Sequence, residues 1–437
     1  MSENKKPITM AGLSLPVFSV VAVVVLAGTF FVFGPKADKI LAPMNMIGAF
    51  AVMMVLGAIW WELGERIPIV NTLLGGGAIA TIFGMAALVH WGLFPKPAIA
   101  LVKDFMGRMG FLDFYIAALI TGSILGMSRK LLIAAFARYI PVILIGVVVS
   151  LGGVALVGAL IGYGWKEAVL FIGVPIMGGG MGAGAVPMSK IYAGSTGTDP
   201  AKLLSMMIPA VALGNAMSII AGGLFDRLGK AHPEWTGNGQ LMSVKDETAD
   251  ANDKEAAEVL TLQSLGIGLL LSTSFFIVGL GIEKIFPKIH SFAWMILSVA
   301  AVKALGIMPR EYEIAARNWF QFIATNLTAA LLVGIGVAYT DLGQIIAAFT
   351  WQYLLLVFTV VMGAIIGTWY GGKLVGFYPI ESAITAGLCM ANMGGTGDVA
   401  VLSAAKRMNA MPFAQISSRI GGAIMLILGG ILIAAFS

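Results

Sequence analysis

The sequence predicts an all-α polytopic membrane protein: about eleven transmembrane helices plus two re-entrant hairpins, built as two inverted five-helix repeats behind one extra N-terminal helix. Three observations carry this prediction. The 437 residues are 59% hydrophobic and only 11% charged, where a soluble domain carries about 25% charged residues. Apolar runs of about 20 residues recur along the chain without the alternation of a β-barrel. Two further apolar stretches are broken by glycine clusters and so cannot be clean helices.

In order, the apolar runs fall at about 17–33, 46–61, 75–93, 113–128, 139–162 and 203–225, then 261–282, 290–306, 317–339, 345–370 and 412–436. The first follows Lys5 and Lys6 but is long for a secretory signal and ends in FFVFGPK with no small-residue cleavage site, so it reads as a retained helix. Trp60, Trp61, Glu62, Glu65 and Arg66 form an aromatic and charged boundary that fixes helix depth. His90 reads as an interfacial residue, and Lys303 as one that snorkels to the adjacent loop.

The interrupted stretches, about 168–189 and 380–405, read as the two hairpins. Residues 226–260 change character: HPEWTGNGQ is followed by the acidic KDETADANDKEAAE, which reads as a solvated cytoplasmic linker. The organisation is then 1–45 as the extra helix, 46–225 as repeat 1, and 261–437 as repeat 2. The hairpins share local sequence, Gly179-Gly180-Met181-Gly182 matching Gly394-Gly395-Thr396-Gly397. Each repeat holds an odd number of spans, so the second sits upside down relative to the first. Inverted repeats with broken helices mark secondary transporters, whose sites lie near the midplane. With the N-terminus cytoplasmic and the C-terminus outside, fifteen basic residues fall inside and ten outside, the favoured sense.

A net charge of +5 in such a chain reflects loop lysines and arginines, not nucleic-acid binding, and the lone Cys389 excludes an intrachain disulfide. Nor is there a Ser-His-Asp set, an HExxH or a Walker loop to argue for an enzyme or for ATP-driven transport.

The residues with chemical promise cluster late in the chain. Arg419 lies seven residues into the last apolar run, too deep to snorkel with ease, and its planar fork suits a carboxylate. Its alternative role is a structural pair with Asp398. The glycine loops, Gly178–Pro187 and Ala391–Asp398, would present unwound N–H groups to an anion and carbonyls to a cation; close packing of small residues is the other reading. Asn392, Thr396, Asp398, Ser417 and Ser418 add side-chain oxygens beside them, with Asp398 read equally as cation ligand or structural partner. Glu381, just after Pro379, reads as a favourable acid at a helix N-terminus.

The stretches GAIWWELGERIPIVNTLLGG, PIMGGGMGAGAVPMSKIY, PIESAITAGLCMANMGGTGD and AQISSRIGG resemble those of the bacterial 2-hydroxycarboxylate transporter family, and the likeness covers essentially the whole chain. That family includes sodium-coupled citrate and malate symporters and citrate/lactate or malate/lactate exchangers. The resemblance implies a homodimer in the inner membrane, each protomer with a dimerisation scaffold and a mobile domain that carries both hairpins in an elevator motion.

It also implies roles for residues. Substrate contacts fall on Gly182, Gly395, Thr396 and Arg419, with Gly180, Met181, Met393 and Gly394 in the same loops. Sodium ligands fall on Ile176, Gly179, Asn392 and Ser418 for one ion, and on Cys389, Met390, Thr396 and Asp398 for the other. The citrate symporters read GGGNGAG and NRGGSGD where this chain has Met181 and Met393 in place of the asparagine and arginine. A trianion needs more compensating charge than one arginine gives. The expectation is cation-coupled symport, with Na+ before H+, of a small 2-hydroxy dicarboxylate such as L-malate. Precursor/product exchange with lactate and an anion channel are the alternatives.

Overall fold

A computed structural model describes residues 9–33, 38–68, 70, 77–126, 129–180, 184–242, 261–286, 291–347 and 350–436. Helices dominate. The strands among the described residues are two-residue pairs that flank the first helix, Leu15–Phe30: Thr9–Met10 with Leu13–Ser14, and Val32–Phe33 with Lys39–Ile40. Among the described residues, eight helices are long and apolar enough to cross a bilayer, the pattern of a multi-pass membrane protein, and three shorter apolar helices accompany them. The described parts of the apolar runs read from the sequence lie mainly on helix.

The chain divides into two compact units. The first comprises Met1–Asp113 and Thr325–Leu342. Within it, Asn45 caps helix Met46–Arg66 by accepting from the Ile47 and Gly48 amides at 3.0 and 3.3 Å, which satisfies two of the orphan donors of the first turn. The ring of Trp60 lies over Gly84 and that of Trp61 over Gly77, so small residues on helix Gly77–His90 receive large ones on its neighbour. Glu65 accepts from the Gly77 amide at 3.0 Å, and Arg66 pairs with Glu62 at 2.7 Å. His90 is exposed, its ring edge-on to Trp91.

Helix Lys96–Met106 lies between the expected apolar runs. Its 11 residues carry Lys96, Lys103 and Asp104 on one side, so average hydropathy hides it. The apolar side is buried, with Phe105 stacked on Phe111 at 4.7 Å and Phe50 edge-on to both.

The second unit, Phe114–Ala324 with Gly343–Ser437, holds both broken helices. Its backbone is the packing of Arg129–Leu160 along Trp351–Leu374. Gly363 lies against the Ser150 backbone and Gly367 against Gly146, small residues that let two helices approach closely where lipid offers no hydrophobic drive. Ser150 ties the pair with a 2.6 Å hydrogen bond to the Val360 carbonyl. Helix Leu262–Ile285 opens with a capping box between Thr261 and Ser264 and packs on Ser291–Leu305.

Several expected boundaries move. The helix expected at 139 begins at Arg129, and the one expected at 317 begins at Arg310, since both starts are amphipathic and escape a hydropathy window. The run at about 345–370 is two helices, Leu342–Ala347 and Trp351–Leu374, the second capped by the Thr350 hydroxyl. Helix Pro200–Ala231 continues past the expected start of the linker, and a 3₁₀ turn follows at Pro233–Trp235. Leu241 and Met242 are buried, and the Leu241 carbonyl accepts from the Tyr378 amide at 2.7 Å. The segment up to residue 242 is therefore anchored by packed residues and is not a wholly solvated linker; the acidic run, 243–260, lies outside the described residues.

Lys303 also departs from its reading. It is buried, bonded to Glu313 at 2.7 Å and to the Leu125 carbonyl at 2.9 Å, so it does not snorkel outward.

Candidate anion and cation site

Three interrupted helices of the second unit supply the site. The first broken helix runs Trp165–Ala168, a π-helical stretch Val169–Gly173 and Val174–Ile176, then unwinds and resumes at Val186–Thr196. The second runs Pro379–Ser382 and π-helical Ala383–Leu388, opens over 389–394, and resumes at Gly395–Ala404. The terminal helix begins at Met411–Gln415, carries a π stretch at Ile416–Gly421 and continues to Phe436. π-helical turns inside α-helices re-aim side chains and recur at functional sites.

The two unwound tips touch through their backbones. Gly179 and Gly180 have φ of +81° and +102°, and Gly394 has +73°, values that an L side chain rarely adopts. A Cβ on Gly180 would strike the Met393 carbonyl, and one on Gly394 would strike the Gly179 carbonyl. A Cβ on Gly179 would strike the Ser418 carbonyl, while one on Gly422 would lie 3.0 Å from the Gly178 carbonyl. The glycine clusters are thus the condition for three backbones to meet at one point.

Beside this junction lies a buried polar knot. Asp398 is fully buried in the first turn of Gly395–Ala404. Its Oδ1 accepts from Asn392 Nδ2 at 2.9 Å, and its Oδ2 accepts from Ser418 Oγ at 2.6 Å and Gln415 Nε2 at 2.8 Å. Asn392 Oδ1 in turn accepts from the Gly394 amide at 2.7 Å, which fixes the turn. Gly397 has no side chain because Asn392 and Asn215 occupy the space a Cβ would need.

Arg419 is half-buried on the π stretch. Its Nη2 would lie 2.6 Å from a Cβ on Gly395, so that glycine makes room for the guanidinium. Its Nε donates to Gln415 Oε1 at 3.4 Å, and its Cζ sits 5.6 Å from the centre of the Phe292 ring.

The structure therefore brings together Gly179, Gly180, Asn392, Met393, Gly394, Gly395, Asp398, Ser418 and Arg419. Thr396 stands in the same first turn as Asp398. Cys389 and Met390 are buried in the opened segment, the Met390 sulfur beneath Gly421. Their thiol and thioether are soft ligands, so only their carbonyl oxygens suit a hard cation. Ile176 packs its side chain on Gly214, which leaves its carbonyl as the oxygen it can offer. Met181 and Gly182 lie outside the described residues.

Sequence reasoning missed four supports. Gln415 is fully buried and bridges Asp398 and Arg419. Asn215 accepts from the Met393 amide at 3.1 Å, and Ser218 donates to the Ala391 carbonyl at 2.7 Å. Tyr139 shares a 2.8 Å hydrogen bond with Ser417. The available signal was polar residues at helical spacing inside apolar runs: Asn215 with Ser218, and Gln415 with Arg419.

Glu381 is a correction. It does not serve simply as a helix-end acid. It accepts from Thr236 Oγ1 at 2.6 Å, from the Gly237 and Gly239 amides at 2.8 and 3.1 Å, and from Arg407 Nε at 3.2 Å. Arg407 also reaches Asp226 at 3.3 Å, and Asp226 pairs with Lys230 at 2.6 Å.

A model of the 2-hydroxycarboxylate transporter family matches residues 10–431. The malate transporter MleP of Lactococcus lactis is 41% identical over 434 residues, 99% of either chain. The citrate transporter CitP of Leuconostoc mesenteroides is 40% identical over 90% of this chain and 88% of its own. The citrate/sodium symporter of Salmonella typhimurium is 40% identical over 96% of this chain and 93% of its own. The family and these relatives are transporters and not enzymes.

Proposed function

We propose, for a chain that belongs to the 2-hydroxycarboxylate transporter family, secondary transport of a 2-hydroxy dicarboxylate, malate above all, in symport with a cation, sodium before the proton. The observation that carries this reading is the placement of Arg419 against Gly395, beside the junction of the two unwound tips. A guanidinium there offers a carboxylate two parallel bonds, and the tips supply backbone donors for the second carboxylate and the hydroxyl.

Charge favours a dianion. With methionine at positions 181 and 393, Arg419 is the cation placed at the loops among the described residues, enough for a dianion assisted by a coupling ion and too little for a trianion. Percent identity does not choose, since the malate and citrate transporters stand at 41% and 40%. The name of the Salmonella relative supports sodium. So does the geometry of Asp398: its partners Asn392 and Gln415 present N–H groups to it, as suits a carboxylate that can also take a cation, and less so a carboxylic acid that must donate.

On this reading sodium binds at two positions: one ion is held by the Asn392 and Ser418 side chains with carbonyls of Ile176 and Gly179, the other by Asp398 and the Thr396 hydroxyl with carbonyls of Cys389 and Met390. The broken helices are the re-entrant hairpins of two inverted repeats, carried by an elevator motion in a homodimer of the bacterial inner membrane, N-terminus inside and C-terminus outside. Cation binding offsets the charge of the anion before the loaded domain crosses, because unneutralised charge in the barrier is costly.

The test is uptake of labelled L-malate into proteoliposomes with sodium and pH gradients imposed separately. Uptake driven by sodium supports the reading, and uptake driven only by the pH gradient replaces sodium with the proton. Uptake that needs internal lactate instead makes the protein an exchanger, and non-saturable flux makes it a channel.

A further inference from the structure

Gln415 has one donating and one accepting end, and each is committed to a different half of the site. Its Nε2 donates to Asp398 Oδ2 at 2.8 Å, and its Oε1 accepts from Arg419 Nε at 3.4 Å. The residue is fully buried, so water does not compete for either bond. It closes the α-helical segment Met411–Gln415, directly before the π stretch that carries Ser418 and Arg419. Ser418 reaches the same Asp398 oxygen at 2.6 Å, so Asp398 is tied to this stretch twice, and Gln415 alone of those two also holds the guanidinium.

We infer that Gln415 is a positioning residue that couples the cation site to the anion-binding arginine. The inference rests on the transport reading above. A cation that takes up a lone pair of Asp398 Oδ2 alters what that oxygen accepts from Gln415. The amide cannot flip to adapt, because a flip would set its oxygen against a carboxylate and its N–H group against a guanidinium. A shift of the amide is therefore passed to Arg419 Nε, and the orientation of the fork that meets the carboxylate follows it. By linkage the effect is reciprocal: the bound anion that orders Arg419 fixes the carboxylate for the cation. The longer 3.4 Å bond is the adjustable one of the two, which suits a contact that tightens when both ligands are present.

The experiment is a titration of the purified, full-length protein with L-malate, once in sodium chloride and once in choline chloride, read by calorimetry. The quantity of interest is the ratio of the two affinities. In the Gln415→Met variant, which keeps length and loses the bonds to Asp398 and Arg419, this ratio falls at least about fivefold toward one, the low end of ordinary coupling between sites. Gln415→Ser, which leaves room for a water on Asp398, carries the same expectation and guards against a folding defect in the thioether variant. A ratio within about twofold of the parent in either folded variant overturns the assignment. Loss of folding in both also overturns it, because Gln415 would then be a structural support only. A parent protein that binds malate without regard to sodium overturns the sodium-coupled reading, and this one with it, before any variant is made.

Discussion

Gly180 and Met393 meet backbone to backbone: a single added methyl on the glycine would overlap the methionine carbonyl, and the glycine holds φ at +102°. Two tips from distant parts of the sequence thus close on one another with no side chain between them. Gly180→Ala is expected to cut transport by at least about tenfold, since a strained backbone of this kind costs about 1–3 kcal/mol and the displaced atoms are main chain. Initial uptake rates in proteoliposomes, alongside a size-exclusion profile that stays monodisperse, check the effect. Wild-type uptake by the alanine variant would mean that the tips need not touch for function.

Arg419→Lys keeps the charge and removes the fork. Lysine lacks the Nη2 that sits against Gly395, and the bond to Gln415 is lost. A weakening of malate binding by about ten- to a hundredfold is expected, from one charge-assisted bond and the orientation it imposes. Competition of unlabelled malate against labelled substrate measures it; unchanged affinity would remove Arg419 from the site.

The buried cluster of Asp226, Glu381 and Arg407 ties helix Pro200–Ala231 and the segment around Thr236 to the base of the second broken helix. Arg407→Met would leave Glu381, 1% exposed, without its cation, while Asp226 keeps Lys230. The loss is expected to be about 3–5 kcal/mol. It would show as a lower unfolding midpoint in detergent, while the less disruptive Glu381→Gln, which keeps the acceptor oxygen, should lower it by less.

That cluster also marks where the sequence stops being legible. Apolar runs, glycine interruptions and a deep arginine are local signals, and they placed the helices, both breaks and the residues around Asp398 and Arg419. Glu381 and Lys303 were misread because the partners that bury them come from elsewhere. Arg407 is 26 residues from Glu381, Thr236 is 145 residues away, and Leu125 is 178 from Lys303. No hydropathy window of about 19 residues spans these three separations, although Glu313, the ion-pair partner of Lys303, lies within one. Helix Lys96–Met106 escaped for the opposite reason, being too short and too charged for an average to register.

Met393 offers the most direct test of substrate choice. Its main-chain carbonyl is packed against Gly180 and its amide is held by Asn215 at 3.1 Å, so the backbone at this position is fixed from both sides. A side chain exchanged here changes the chemistry of the tip with little change in its path. The doubly substituted Met181→Asn, Met393→Arg protein restores the residues found in citrate symporters and adds a second guanidinium beside Arg419. A trianion gains more from that charge than a dianion does, and a dianion site with excess positive charge loses its need for a coupling ion. The ratio of citrate to malate uptake is expected to rise at least about tenfold, the effect of one favourable charge-assisted contact, with the larger part of the gain from Met393→Arg alone. Parallel uptake of the two labelled acids by the parent, the single variants and the double variant measures it. A ratio unchanged in all three would mean that the anion is selected away from the tips.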